Sequence, residues 1–192
     1  MSDPFKKARD VQAVAPSIVL LDPRYPHNVG ASVRASSCFG IQQVWLTGRR
    51  VADKVIDAKR LPREERMKGF SDVQMVLDDR PFENFPKTAV PVAVELLDSS
   101  ENLLLFEHPE NAIYVFGPED GSIPPVIRKL CHRRVFIPTR HCVNLGAAVY
   151  LMLYDRMMKK HRDGQIPALP IGETLLENRE GWAVDDNPAF SS

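Results

Sequence analysis

Short apolar runs recur along the chain and are separated by stretches rich in proline, glycine and charge. Continuous short runs of this kind are typical of strands that are buried on both faces of a sheet. They lie at residues 17–21, 44–47, 90–96, 112–116 and 134–137. Helical patterns fall between several of them. The sequence therefore predicts an α/β fold with a mostly parallel sheet of about five or six strands and helices on both faces.

Two longer segments carry the helical pattern. Residues 28–39 are rich in small residues, and the Gly40 that follows is a typical helix C-cap. Residues 144–160 repeat apolar residues at helical spacing and end in basic residues, which suit the negative end of a helix dipole. A short helix is predicted at residues 125–131, whereas the charged residues 49–88 have no clear pattern.

The predicted elements divide the chain into three parts. Residues 17–163 form one folded domain. Residues 1–16 form an N-terminal extension that is too short to be a separate domain. Residues 164–192 form an acidic tail, which is either mobile or laid across a partner.

The composition is that of an ordinary globular protein. Hydrophobic residues make up 44% and charged residues 26%, which excludes wholesale disorder. Three cysteines without a C-x-x-C pair and five dispersed histidines argue against a metal site. The N-terminus lacks a signal-peptide core, and the most apolar run, residues 89–97, is far shorter than the ~20 residues of a membrane span. We predict a cytoplasmic protein with reduced thiols and neither a metal nor a membrane partner.

The formal net charge is zero, but the charges are unevenly distributed. Residues 173–192 carry five acidic side chains and one basic one, a net charge of −4 that leaves +4 for residues 1–172. Basic residues of the larger part cluster in several places, among them Arg60, Arg63, Arg66 and Lys68. A single cluster is more often a solvated face, whereas several together leave room for a surface that binds a polyanion.

Three segments near the ends of predicted strands have an unusual composition. They lie at residues 27–34, 116–124 and 137–148. Ligands of open parallel sheets bind beyond the carboxyl ends of the strands, so these segments are candidates for one site. None contains the G-x-G-x-x-G pattern of dinucleotide sites or a P-loop, and the sequence has no G-x-S-x-G nucleophile elbow. Dehydrogenase, P-loop and α/β-hydrolase chemistry are therefore disfavoured.

The order and spacing of the three segments are more informative than any one of them. They contain Asn28-x-Gly30-x-x-x-Arg34, then Gly117-Pro118-Glu119-x-Gly121, then Ile137-Pro138 followed by Asn144-Leu145. This ordered set resembles the three motifs of the SpoU/TrmH branch of the SPOUT RNA methyltransferases, over about residues 17–160. Each motif alone is weakly specific, whereas the ordered set is strongly specific.

The resemblance implies a SPOUT methyltransferase domain at residues 17–163, whose α/β fold ends in a deep C-terminal trefoil knot. It implies S-adenosylmethionine as the cofactor and a homodimer as the assembly. The reaction it implies is methylation of ribose 2′-hydroxyls in RNA, with tRNA favoured over rRNA. The nucleotide that is modified stays open.

The resemblance also assigns catalytic roles to four residues: Arg34, Asn28, Glu119 and Asn144. Taken alone, an arginine such as Arg34 is more typical of a surface ion pair on a helix. As the catalytic arginine, it either clamps a phosphate of the target nucleotide or acts as a base in a desolvated cationic site, and we favour the clamp. Asn28 and Asn144 are also each suited to cap a helix N-terminus.

Two further sets of residues follow from the resemblance. The cofactor-binding candidates surround the three motifs and are Leu96, Gly117, Glu119, Gly121, Ile137, Val143 and Ala148. The RNA-binding candidates are basic and are Arg34, Arg60, Arg63, Arg66 and Lys68. No metal ligand is implied.

Two positions depart from the family pattern. The family often has serine at the position of Cys142, and serine or a similar polar residue at that of Gly146. The missing hydroxyls motivate an alternative function, a catalytically weak or inactive knotted paralogue that binds RNA. A flavodoxin-like small-molecule enzyme is a third possibility, which rests only on the β-α-β pattern.

Overall fold

The computed structural model of the protein describes residues 5–54 and 72–169. Its strands are β1 (Lys6–Lys7), β2 (Ser17–Leu20), β3 (Gln43–Leu46), β4 (Gln74–Leu77), β5 (Val90–Val94), β6 (Glu101–Asn102), β7 (Ala112–Phe116) and β8 (Arg133–Phe136). Within these ranges they form one sheet in the order β1-β4-β3-β2-β7-β5-β8-β6, and every pair is parallel. The α/β fold and the parallel sheet that the sequence predicts are confirmed.

Helices α1 (Pro26–Cys38), α2 (Pro125–Arg128) and α3 (Leu145–Arg162) connect or follow the strands. Helix α1 begins at Pro26, whose ring fixes the backbone angle that a first turn needs. It ends at the C-cap Phe39, followed by Gly40 with a φ of 71°, the left-handed conformation that the sequence predicts there. No helix within the described ranges is long and apolar enough to cross a membrane.

The apolar core has two layers because alternate strand residues point to opposite faces of the sheet. Ile18 and Leu20 of β2 pack with α1 and α3, whereas Val19 and Leu21 pack on the other face. Strands β2, β3 and β7 are buried along their whole length. Burial on both faces explains why their sequences are mostly apolar rather than alternating.

The sheet has more strands than the five or six that the sequence predicts. Two of the additional strands, β1 and β6, consist of charged and polar residues and pair through their backbones, so no apolar run marks them. The third, β4, is a half-buried strand within the charged region that the sequence pattern left unassigned.

The prediction of helices on both faces of the sheet is confirmed only in part. Helices α1 and α3 pack on the same face of the sheet. Within the described residues, the opposite face is covered by the single turn of α2, by the 3₁₀ turns Ala8–Asp10 and Pro81–Glu83, and by loops. The crossovers on that face are short or irregular, so they carry no helical period that a sequence could reveal.

The chain changes direction across the sheet between β2 and β7. Strands β3 and β4 lie on one side of β2, whereas β7, β5 and β8 lie on the other. The register pairs Leu20 with Phe116, so the loops after β2 and β7 begin side by side. Such a switch point is the usual ligand position in an open parallel sheet.

A buried polar network fixes α3 to the sheet. The Nδ1 of His108 lies 2.7 Å from the hydroxyl of Tyr114 in β7, and its Nε2 lies 2.7 Å from Oδ2 of Asp155 in α3. Arg156 donates hydrogen bonds to backbone carbonyls of residues 109–110. Burial raises the pKa of Tyr114 to about 12, so the phenol stays neutral at physiological pH. The network anchors the helix whose first turn reaches the site described below.

The chain divides near Met157 into two units, and the sheet and the candidate site lie in the first. Ahead of Ser17, this unit contains β1 and Phe5, which is only 6% exposed. The domain boundaries that the sequence suggests after residues 16 and 163 stay predictions.

Candidate active site

A cleft of about 460 Å³ lies at the carboxyl edge of the sheet. It is lined by the loops after β2, β5, β7 and β8 and by the first turns of α1 and α3. Its volume is within the ~300–1,000 Å³ of small-molecule sites. Three catalytic candidates line it, namely Asn28, Glu119 and Asn144. So do all the cofactor-binding candidates: Leu96, Gly117, Glu119, Gly121, Ile137, Val143 and Ala148.

The carboxylate of Glu119 joins the loop after β7 to the loop after β2. It accepts hydrogen bonds from the backbone N–H groups of Arg24 (2.7 Å) and Tyr25 (3.4 Å). It also accepts one from the side-chain amide of Asn28 (2.5 Å). Three donors suit a carboxylate, which has only acceptor oxygens. Glu119 therefore fixes the start of α1 relative to the β7 loop.

Asn28 extends this connection to α3. Its Oδ1 accepts a hydrogen bond from Nδ2 of Asn144 at 2.8 Å. The Oδ1 of Asn144 accepts from the backbone N–H groups of Gly146 (2.9 Å) and Ala147 (3.3 Å), which is the geometry of a helix N-cap. Asn28 is not a cap, because α1 begins two residues earlier and Asn28 lies buried in its first turn. Its side chain is thereby left to bridge the two loops.

The loop after β7 folds tightly back on itself. A Cβ atom at Gly117 would lie 3.1 Å from the backbone nitrogen of Ile123, so a side chain has little room there. The same Ile123 N–H donates to Oε2 of Glu95 at 2.8 Å. Glu95, just after β5, thus holds one end of the loop while Glu119 holds its middle.

The cleft has two chemically different ends. The end beside β5 and β8 has an apolar lining of Leu96, Ile137, Val143 and Ala148. The end beside β2 holds the polar network. Among the described residues that line the cleft there are two carboxylates, Glu95 and Glu119, and no lysine or arginine. No group of three or more His, Cys, Asp or Glu residues in these ranges is placed to hold a metal ion. A small cation with an apolar ring fits this lining better than a phosphate-rich nucleotide does.

Arg34 lies outside the cleft. Its side chain is exposed on α1 and forms no hydrogen bond or ion pair with any residue of the described ranges. The surface ion pair that was one expectation for Arg34 is therefore not found among these residues. Ala31, one helical turn earlier, faces the first turn of α3 at Gly146. Arg34 therefore lies one helical turn along α1 from the contact with α3.

The candidates Arg60, Arg63, Arg66 and Lys68 lie outside the described residues. Arg50 lies in the described part of the same segment, shortly after β3. It donates hydrogen bonds to both carboxylate oxygens of Asp120, at 3.0 and 2.8 Å. Arg50 also donates to the backbone oxygen of Asp22. Its hydrogen bond with Asp120 raises the pKa of Arg50 and lowers the pKa of Asp120. The segment after β3 is thus linked to the loop that carries Glu119.

The two departures from the motif pattern have different surroundings. A Cβ atom at Gly146 would lie 2.7 Å from the Cβ of Ala31 and 3.3 Å from Oδ1 of Asn144. A side chain at this position requires α1 and α3 to separate, so close helix packing explains the glycine. Cys142, by contrast, is exposed and lines the cleft.

Sequence reasoning missed several residues of the cleft, and two of them, Tyr25 and Glu95, affect its chemistry. Tyr25, which is 47% exposed, lines the cleft next to the polar network. It is the N-cap residue of α1 in the structure, and nothing in the sequence pattern indicated its exposure. Glu95 did leave a signal, because it is a charged residue at the end of an otherwise apolar run.

The sequence was compared with protein families and with known proteins. The model of the SpoU rRNA Methylase family matches residues 15–154. This match contains all three motif segments and the strands from β2 to β8. No sequence among the curated proteins matches significantly.

Solved structures with the same fold include a TrmH/SpoU tRNA modifying enzyme from A. aeolicus. It is 17% identical, the match covers 85% of both chains, and the TM-score is 0.66. The SpoU methyltransferase AviRb from Streptomyces viridochromogenes, solved with AdoMet, is 18% identical over 84% of this chain and 63% of its own, with a TM-score of 0.64. A third structure, described as giving insights into the 2-OH methylation of C/U34 on tRNA, is 23% identical over 74% and 89% of the two chains, with a TM-score of 0.62.

Proposed function

Because the chain belongs to the SpoU rRNA methylase family, we propose that it transfers the methyl group of S-adenosylmethionine to a ribose 2′-hydroxyl of RNA. The family consists of RNA methyltransferases that use S-adenosylmethionine, and AviRb was solved with this cofactor. Ribose as the acceptor is supported by the motif resemblance and by the neighbour linked to 2-OH methylation.

One observation carries the proposal. Glu119, Asn28 and Asn144 come from three motifs far apart in the sequence, and they form one hydrogen-bonded chain at the wall of a single cleft. The cleft also provides an apolar end and a surplus of carboxylates. The adenine ring of S-adenosylmethionine suits the apolar end, and its sulfonium cation suits the carboxylates.

The reaction needs little covalent chemistry from the protein. S-adenosylmethionine, when bound, would supply a methyl group on a positively charged sulfur, and S-adenosylhomocysteine would be the leaving group. Leu96, Ile137 and Val143 would hold the adenine at the apolar end. Asn28 and Asn144 would orient the ribose, since both amides are fixed by partners before substrate arrives.

Arg34 would clamp a phosphate of the target nucleotide. A guanidinium stays protonated in proteins, so it is poorly suited to act as a base but well suited to bidentate phosphate binding. Its exposure and the absence of a partner in the described ranges support this role. The hydroxyl proton would then leave to the clamped phosphate or to water.

We propose tRNA ahead of rRNA as the substrate. Two of the three neighbours described above are linked by name to tRNA, whereas the family model is named for rRNA. The neutral overall charge supports an enzyme that binds one RNA site and releases it, rather than a protein that coats RNA.

We also propose that the enzyme is a homodimer. Helix α3 exposes apolar side chains at Leu151 (40%), Tyr154 (51%) and Met157 (38%). These positions share one helix face at i, i+3 and i+6, and Tyr154 packs edge-on against Phe39 at the end of α1. Apolar exposure at this spacing supports burial against a second copy. Light scattering is expected to give twice the mass of the 21.7 kDa chain, and a monomer would contradict it.

The deep trefoil knot is part of the same proposal. It is supported by the three-motif resemblance and by the return of the chain from β8 to the first turn of α1, where Asn144 meets Asn28. The sheet order, in which β7 enters between β2 and β5, is consistent with a threaded C-terminal segment.

The decisive experiment is methyl transfer to bulk RNA. The protein is incubated with labelled S-adenosylmethionine and total tRNA or rRNA, and the RNA is digested to nucleosides for mass spectrometry. We expect label in 2′-O-methylnucleosides. Label in a base would contradict ribose as the acceptor. Tight cofactor binding without transfer to either RNA would favour the alternative, a paralogue that binds RNA without modifying it. The exposed Cys142 is the remaining motivation for this alternative.

A further inference from the structure

Tyr25 is an exposed aromatic residue at the polar end of the cleft. It is 47% exposed and lies within one helical turn of Asn28. The apolar end of the cleft lies beside β8, which is three strand positions from β2. Since neighbouring strands are ~4.8 Å apart, the end of β2, which leads to Tyr25, is roughly 14 Å across the sheet from the end of β8. The ring of Tyr25 therefore lies on the substrate side of the cleft rather than on the side proposed for adenine.

The position of the ring is fixed by its surroundings. The backbone N–H groups of Arg24 and Tyr25 both donate to Glu119, the carboxylate that also orients Asn28. The guanidinium of Arg24 lies 5.3 Å from the centre of the Tyr25 ring, and its NH1 lies 3.5 Å from Oδ2 of Asp120. The ring thus shares its support with the polar network.

Charge at this end of the cleft is close to balanced. Arg24 pairs with Asp120, and Arg50 pairs with both Asp120 and Asp22. With Lys54, which donates to the backbone oxygen of Arg24, and Glu119, three cations thus face three carboxylates, so attraction to phosphate is weak here. Apart from the phosphate clamp proposed for Arg34, which lies outside the cleft, binding of a nucleotide at this end would come mainly from contacts with its base.

We infer that Tyr25 is a stacking platform for the base of the target nucleotide, with the guanidinium of Arg24 over the ring. This inference rests on the proposed function. Single-stranded RNA is commonly recognised by bases that are turned out and stacked on aromatic rings. A base on Tyr25 would bring its own ribose toward Asn28 and Asn144, which lie next along the cleft. Stacking accepts any base, so the platform would position the nucleotide without selecting its identity.

The test compares Tyr25→Leu, which removes the ring, with Tyr25→Phe, which keeps it. The side chain of Tyr25 makes no capping hydrogen bond, so neither change removes one from α1. We expect Tyr25→Leu to raise the apparent KM for bulk tRNA about tenfold, with kcat and the calorimetric affinity for S-adenosylmethionine unchanged. Tyr25→Phe is expected to stay close to wild type. The substitution Leu105→Ala, at an exposed apolar residue outside the cleft, is the matched control.

A second readout does not require turnover. Wild-type protein is crosslinked to bulk tRNA by ultraviolet light in the presence of S-adenosylhomocysteine, and the nucleotide adduct is mapped by mass spectrometry. We expect an adduct on the peptide that contains Tyr25, and none there in Tyr25→Leu. A fall in S-adenosylmethionine affinity in Tyr25→Leu would overturn the inference by assigning the ring to the cofactor. An unchanged KM, or an adduct pattern that omits this peptide, would overturn it as well. If wild-type protein transfers no methyl group, the proposed function fails, and the crosslinking arm still decides whether Tyr25 holds RNA.

Discussion

The contact between Gly146 and Ala31 makes a sharp prediction about how α1 and α3 hold the site together. Replacing Gly146 with alanine puts a Cβ atom 2.7 Å from the Cβ of Ala31, well inside van der Waals contact. The neighbouring atom belongs to a short side chain close to the backbone, so it cannot swing away. The first turn of α3 must move, and Asn144, which caps that turn, must move with it.

The magnitude follows from two opposing contributions. Alanine is favoured over glycine in a helix by up to ~1 kcal/mol. Overpacking a core contact costs ~1–3 kcal/mol. The net effect of Gly146→Ala is therefore a decrease in the free energy of unfolding of between about zero and 2 kcal/mol. In an Ala31→Gly background the clash is absent, so the same substitution should stabilise the protein by up to ~1 kcal/mol.

The assay is a double-mutant cycle measured by urea unfolding without cofactor. The four proteins are wild type, each single variant, and the double variant. We expect a coupling free energy of ~1–3 kcal/mol between Gly146 and Ala31. Methyl transfer should fall in Gly146→Ala and recover in the double variant, because the Asn144–Asn28 contact is restored. Additive effects, within ~0.5 kcal/mol, would refute the close-packing explanation of the glycine.

Three further predictions concern single side chains. Asn144→Asp keeps the helix cap but loses the Nδ2 donor to Asn28. It should therefore lower kcat on the order of 100-fold while costing less stability than Asn144→Ala, which also loses a cap of ~1 kcal/mol. Arg34→Ala should lower turnover by a similar factor and leave the affinity for S-adenosylmethionine unchanged. Because the side chain is exposed, the free energy of unfolding should stay within ~0.5 kcal/mol of wild type. Burial raises the pKa of Cys131 to about 11, so at pH 8 a thiol reagent should modify the exposed Cys38 and Cys142 rapidly and Cys131 only on unfolding.

Each of these predictions has a control and a result that contradicts it. Equal losses of stability in the two Asn144 variants would mean that the helix cap and the hydrogen bond to Asn28 cannot be separated. The control for Arg34 is Arg128→Ala on α2, which packs on the opposite face of the sheet, and full turnover in Arg34→Ala would remove Arg34 from the mechanism. Three rapidly reacting thiols would contradict the burial of Cys131. S-adenosylmethionine should slow the reaction of Cys142 alone, because only this cysteine lines the cleft.

The parts of the fold that could be predicted are those that bury apolar residues. The run at residues 112–116 matches β7 in full, and the runs at 17–21 and 134–137 match β2 and β8 to within one residue at either end. Burial on both faces explains the nearly continuous apolar sequences of β2 and β7, whereas β8 begins with two arginines and is only partly buried. The edge strands β1 and β6 were missed because they contain no apolar residue, and their polar side chains resemble those of a loop. Strand β6 is held by backbone pairing and by the ion pair of Glu101 with Arg133 of β8.

The site was predictable to the extent that it lies in the motifs. Glu119, Asn28 and Asn144 come together as the order of the motifs suggested, although the cap expected at Asn28 is absent. Tyr25 could not be found in this way, since its role depends on exposure, which follows from packing. The close approach at Gly146 was likewise invisible, because it depends on the distance between two helices.

The hydrogen-bonded chain also explains why the motifs are weak singly and strong together. Glu119 can orient Asn28 only because β2 and β7 are neighbours in the sheet, and Asn28 can reach Asn144 only because Gly146 lets α3 approach α1. An asparagine near the start of a helix is ordinary, as is a glutamate in a loop. What is unusual is that Asn28 donates a hydrogen bond to Glu119 and accepts one from Asn144. The candidate site therefore depends on the order in which the parallel strands bring three common residues to one edge of the sheet.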